Sequence, residues 1–268
     1  MADCLQVVVL LVKLLLAPAL VVASTLAGRR WGPGVTGALI AFPIVAGPIL
    51  LVIQLEHGPA FARDAAVASM LGLVSLAVFA VVFARLGRRL GWLPTMAVSW
   101  VAVLAVDVVM SLRQVLDLVA LAAAVVAIAL GILLMPRADG PAAAAPVRPP
   151  SWDLPARALT TAALVITLTT VSGALGPEWT GVLSTFPIAT SVVAGFALAQ
   201  NGSANAARVL AGTLTGLFGF AGFCFTVAVL VHPLGVLAFA CGVVVAVVVQ
   251  AALMTARRAV TTPTRTVV

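Results

Sequence analysis

Charge is what this chain has least of. Only 9% of its 268 residues are charged, 63% are hydrophobic, and the mean hydropathy is +1.23. An ordinary globular domain carries about 25% charged and about 45–50% apolar residues. The scarcity excludes a fold whose solvent is water on all sides. With lipid as the solvent, only helices and closed barrels satisfy every backbone group. The apolar runs lack the strict alternation of barrel strands, which leaves helices. Histidine is scarcer still: His57 and His232 fall in different loops and form no metal set. The three cysteines, Cys4, Cys224 and Cys241, contain no CxxC pair, and the last two read as small core residues. No HExxH, GxSxG, phosphate loop or dinucleotide fingerprint occurs, so neither an enzyme nor a cofactor is expected. The net charge of +7 would suit nucleic acid. However, no basic face is interleaved with aromatics, and the arginines sit in short loops, where they report topology.

What is present is a series of apolar runs, each near the roughly 20 residues that a membrane helix needs. They cover 6–27, 34–55, 62–86, 92–111, 117–135, 157–175, 180–199, 205–231 and 234–256. Nine spans in an all-α integral membrane protein follow. The first could pass for a signal peptide, but it lacks a basic n-region, carries Asp3 instead and stays apolar toward Arg29, which favours a retained span. Residues 137–155, rich in Pro and Ala, read as a cytoplasmic linker.

One tripeptide organises the rest. Phe42-Pro43-Ile44 recurs as Phe186-Pro187-Ile188, 144 positions later. At that offset GPGVTGALIAFPI aligns with GPEWTGVLSTFPI at eight of thirteen positions. The register holds through Gly58 with Gly202, Gly72-Leu73 with Gly216-Leu217, and Leu90-Gly91 with Leu234-Gly235. The chain therefore divides into a four-helix repeat at 1–115, a connecting helix at 116–136, the linker, and a second four-helix repeat at 156–268. A step of five spans between equivalent helices inverts the second repeat relative to the first. Basic residues agree. With the N-terminus outside and the C-terminus inside, Arg29, Arg30, Arg85, Arg88, Arg89, Arg137, Arg148, Arg157, Arg208, Arg257, Arg258 and Arg265 fall on the cytoplasmic side, and only Lys13, Arg63 and Arg113 outside. Trp31, Trp92, Trp152 and Trp179 lie near span ends, as interfacial indoles do, and Trp100 reads as core.

Paired Gly/Pro-interrupted segments in inverted halves point to a transporter's central site. Phe42, Pro43, Phe186 and Pro187 are accordingly expected to line a substrate site, with Thr36 and Thr180 at aligned positions and the hydroxyls of Ser184, Thr185, Thr190 and Ser191 beside the second motif. The first repeat places Ile40, Ala41, Ala46 and Gly47 at the positions of those four hydroxyls, so the site is asymmetric. The bland alternative is that each proline only kinks a helix for packing. Glu56 and His57 at a span end, and Asp107 near the end of span four, are candidates for proton coupling; the alternative is that Glu56 and His57 are interfacial loop residues with Gly58 ending the helix, and that Asp107 pairs with Arg113. Lys13 and Arg157, aligned near the start of each half, read as interfacial anchors. Gly212 and Gly216 form a small-xxx-small face suited to close helix packing and able to serve a homodimer.

The G-x-(I/L)-x-x-(F/L)-P pattern followed by an acidic or polar group and a glycine resembles uncharacterised bacterial multi-pass membrane proteins grouped as domains of unknown function. Here two four-helix units look fused through an extra helix. The resemblance implies the bacterial inner membrane and names no substrate. The plan is also similar to small drug exporters, but Lys13 is the sole charged residue of the first span, where that family carries a glutamate. The expected function is a secondary transporter or permeation protein for a small solute or lipid-derived molecule, with the bilayer as its surroundings and no nucleic-acid partner. The alternative is a non-transporting membrane scaffold or assembly protein.

Overall fold

The computed structural model describes residues 2–111, 116–137, 150–175 and 186–261, with side chains over 14–110, 116–137, 150–171 and 186–255. Eight helices follow in order: α1 Ala2–Trp31, α2 Pro33–Ile40, α3 Ala46–Leu86, α4 Trp92–Ser111, α5 Asp117–Leu134, α6 Asp153–Leu175, α7 Ile188–Leu234 and α8 Leu237–Thr261. No strand occurs among the described residues, and six of the helices contain stretches long and apolar enough to cross a membrane. The chain is an all-α, multi-pass membrane protein. Its lipid-facing surface is aliphatic: Val98 and Val101 on α4, Leu118 and Leu133 on α5, and Val244 and Val248 on α8 are all exposed.

The helices do not coincide one for one with the apolar runs. The run at 34–55 is split: α2 ends at Ile40 and α3 begins at Ala46. Pro43 lies in the gap, and proline there has no N–H to give and would clash with the carbonyl four residues back. Conversely, the backbone of α3 passes from this run into the next. A straight helix of its 41 residues would measure about 60 Å, twice the roughly 30 Å of bilayer hydrocarbon. Gly58, at φ 82° and ψ 179°, breaks it into arms 46–57 and 59–86. Likewise Gly202, at φ 80° and ψ 175°, breaks the 47-residue α7 into arms 188–201 and 203–234. Both angles fall in a region essentially reserved for glycine.

The second arms of α3 and α7 cross antiparallel at the centre. Residues Ala62, Ala66 and Met70 cluster with Phe223, Val227 and Val231. Farther along α3, Leu73, Ala77 and Phe83 cluster instead with Ala206, Leu210 and Leu217. The same positions in each arm are buried: Met70 and Leu214, Phe79 and Phe223, Ala80 and Cys224, and Phe83 and Val227 are each at most 1% exposed. Helix α5 lies across this crossing on a ridge of small residues. An added Cβ on Gly131 would touch both Leu214 and Ala77.

Helix α2 runs alongside the second arm of α7, backbone against backbone. A Cβ on Gly212 would stand 2.1 Å from the Gly34 carbonyl oxygen, and one on Gly37 would stand 1.9 Å from that of Val209. Glycine is therefore required at this crossing, where dispersion between close backbones replaces the hydrophobic effect that lipid cannot supply. The Gly212/Gly216 face is thus covered within the chain.

Candidate functional site

The two Phe-Pro-Ile motifs have the same local hydrogen bonding. The Ile44 N–H donates to the Phe42 carbonyl at 2.7 Å, and the Ile188 N–H donates to the Phe186 carbonyl at 2.8 Å. Three residues farther on, Gly47 donates to the Pro43 carbonyl at 2.9 Å and Ser191 to the Pro187 carbonyl at 2.8 Å. Pro187, at φ −79° and ψ 62°, is the centre of an inverse γ-turn. Such a turn needs no N–H from its central residue, so proline suits it. The first motif separates α2 from α3, and the second opens α7.

The neighbourhoods of the two motifs differ. Phe42 is half-buried against the cluster containing Phe223 and Val227, and Pro43 is buried. Thr36 is buried against Gly28 of α1. Around the second motif a cavity of about 480 Å³ opens between α4, α6 and the first arm of α7. Phe186 packs edge-on to Trp100 with ring centres 5.3 Å apart, and the Trp100 Nε1–H donates to Ser191 Oγ at 3.0 Å. From there the cavity passes Met96, Leu164, Val192 and Gly195 to Trp92, Trp152 and Gln200. Ser191 and Gln200 are nine residues apart on one helix, so the cavity is about 14 Å long.

Its Gln200 end abuts a charge set made of buried Asp153 and Arg157 and part-exposed Arg29. The Arg157 Nε–H is shared between the two oxygens of Asp153, at 2.9 and 3.1 Å, and Arg157 Nη2 donates to Gln200 Oε1 at 3.2 Å. Gln200 Nε2 donates to Asp153 Oδ1 at 2.8 Å, and Arg29 Nη2 of α1 donates to Asp153 Oδ2 at 2.7 Å. The Arg157 guanidinium lies over the Phe196 ring, 4.7 Å from its centre, an arrangement that favours a desolvated cation. Side-chain exposure is 7% for Arg157 and 1% for Asp153. Arg157 is thus a buried member of a network, where an interfacial anchor was expected.

Of the residues singled out in the sequence, Phe186, Pro187 and Ser191 come together at the cavity, and Ser191 lines it. Thr190 is buried in the neighbouring turn of α7. Phe42, Pro43 and Thr36 lie in separate packing environments. Thr180, Ser184 and Thr185 fall outside the described residues, as does Arg113. Glu56 and His57 are exposed at the end of the first arm of α3, His57 stacking with Phe61 at 4.9 Å. Asp107 is buried in α4 and accepts a 2.5 Å hydrogen bond from Ser75 Oγ. Arg63 pairs in two-pronged fashion with Asp117 of α5, at 2.7 and 3.2 Å.

A larger opening of about 870 Å³, lined by Arg85, Arg88, Arg89 and Arg137, lies at the ends of α3 and α5. Its arginines are among those expected on the cytoplasmic side, and Arg85 is spent on the Leu134 carbonyl at 3.1 Å. The smaller cavity, half open on one side, combines aromatic walls with a polar end, as ligand sites do. Sequence reasoning missed the residues at its Gln200 end. The available signals were the i,i+4 spacing of Asp153 and Arg157 and the alignment of Gln200 with Glu56. Comparison with protein-family models, curated proteins and solved structures finds no match to this chain.

Proposed function

We propose that the chain is a secondary transporter or permeation protein of the inner membrane, built as two inverted four-helix repeats joined by α5. Its N-terminus lies outside and its C-terminus inside, and it moves a small amphiphilic or lipid-derived molecule by way of the cavity beside Pro187. The observation that carries this reading is the antiparallel crossing of α3 and α7, each broken at the aligned glycine, Gly58 or Gly202. Two halves of like fold and opposite orientation give alternating access its simplest basis, since exchanging their conformations turns an inward opening outward. Interrupted helices beside the substrate path belong to the same plan. The resemblance to bacterial multi-pass proteins and the basic bias of one face support the membrane assignment.

The scaffold reading has one observation of its own. Around Pro43 the chain is closely packed, with α2 sealed against α7 by glycine contacts, so the first proline serves packing.

Labelling of single cysteines tests the architecture. Leu90 and Leu234 are aligned and equally exposed, at 41% each, and are better sites than Gly235, whose φ of +54° would strain a cysteine. In a background lacking Cys4, Cys224 and Cys241, Leu90→Cys and Leu234→Cys are expected to react with an impermeant maleimide from opposite sides of the membrane. Reaction from the same side would dismiss the inverted arrangement and the transport reading with it.

A further inference from the structure

We infer that the cavity between α4, α6 and α7 takes a single-tailed anionic amphiphile. Its phosphate or carboxylate head lies at the Gln200 end, and its tail lies along Trp92, Met96 and Trp100. The inference rests on the transport reading for its physiological role, but its binding claim stands on geometry alone.

Charge fixes the head. Arg29 and Arg157 share the single carboxylate of Asp153, so the set carries one surplus positive charge. Arg157 and Asp153 are buried and Arg29 is 35% exposed, so the part of that charge nearest the cavity is screened less than it would be in the open. Arg157 is pinned by Asp153, Gln200 and the face of Phe196, and both Gln200 and Phe196 are cavity walls. An anion entering at Gln200 therefore meets a preorganised cationic end, and a cation is repelled there. Polarity along the cavity fixes the tail. At the Ser191 end the two polar groups, the Trp100 indole N–H and the Ser191 hydroxyl, are bonded to each other. Apart from Thr160, the walls between the ends are aromatic, thioether and aliphatic, surfaces an alkyl chain matches. A cavity of about 480 Å³ also lies in the range of small-molecule sites, which suits one tail and not a whole two-tailed bilayer lipid.

The test uses the full-length protein in a neutral maltoside detergent, with ω-bromododecanoate as the anionic probe and its bromododecyl trimethylammonium analogue as the cationic one. Bromine quenches indole fluorescence on contact, and three of the five tryptophans, Trp92, Trp100 and Trp152, line the cavity. Saturable quenching by the anion at about tenfold lower concentration than by the cation is expected, a preference one surplus charge can supply. Arg29→Gln leaves the buried Asp153–Arg157 pair intact while removing the surplus, and is expected to abolish the preference without loss of folding. Arg157→Gln is expected to abolish it as well.

Equal quenching by both probes would overturn the inference, leaving an acyl crevice that ignores charge. Protection by inorganic phosphate or acetate as effective as that by dodecanoate would also overturn it, since the site would then read a free anion and no tail. Charge-selective binding in a protein whose Leu90 and Leu234 cysteines label from the same side would keep the site and dismiss transport. Opposite-side labelling with unselective binding would do the reverse.

Discussion

Gly58 and Gly202, 144 positions apart, hold the same backbone conformation to within a few degrees, φ 82° and ψ 179° against φ 80° and ψ 175°. A Cβ there would find open space, so side-chain crowding is not the reason for glycine. The reason is the backbone angle itself. Gly58→Ala and Gly202→Ala are each expected to cost about 1–3 kcal/mol, and to cost similar amounts. Thermal unfolding in detergent measures this. A neutral result at either position would mean that its arm can realign without the break.

The two prolines share local geometry but not surroundings, so their substitutions should part company. Pro187→Ala disturbs the turn that sets Phe186 against Trp100, and is expected to weaken quenching by the brominated anion several-fold. Pro43→Ala, set in a packed region away from the cavity, is expected to alter melting temperature with little change in quenching. Equal losses in both would favour a single central site shared by the two motifs.

Backbone contact between α2 and α7 leaves no room at Gly212. Gly212→Val must push α2 away from a carbonyl only 2.1 Å from the new Cβ, and a cost of at least about 1–3 kcal/mol is expected from the overpacking. Gly222, whose added Cβ would meet a Val245 methyl at 3.1 Å and no backbone of a neighbouring helix, is the milder comparison. Gly222→Ala should be far milder in the same unfolding assay.

Removing the shared carboxylate should be the most damaging single change near the cavity. Asp153→Ala strands Arg157 and Arg29 without their common partner, and breaking a buried pair from one side costs about 3–5 kcal/mol. Asp64, whose carboxylate is 75% exposed beside Arg63, provides the comparison. Asp64→Ala should change stability by less than about 1 kcal/mol.

Much of the architecture was written in the sequence because lipid imposes coarse rules. Runs of about 20 apolar residues are required to cross the membrane, so the helices could be located from composition. Proline and glycine announce breaks by their own covalent geometry: Pro43 lies between α2 and α3, Gly58 and Gly202 interrupt α3 and α7, and Pro187 stands at the start of α7. The 144-residue register pairs Gly58 with Gly202, which hold the same backbone conformation. What remained hidden was which face of each helix meets which neighbour. In water an amphipathic stripe gives that away, but a helix apolar on all sides carries no such stripe. Trp92 and Trp152 therefore read as interfacial indoles, and Arg157 as an anchor. Only the packing of α4 and α6 against α7 turned the first two into cavity walls, and only the meeting of α1, α6 and α7 brought Arg29, Asp153, Arg157 and Gln200 within hydrogen-bonding distance. The sequence determined that the chain is a multi-pass membrane protein and which prolines and glycines interrupt its helices; tertiary structure decided where its few charges meet, because in lipid a charge is stabilised by its partner and not by its position in the chain.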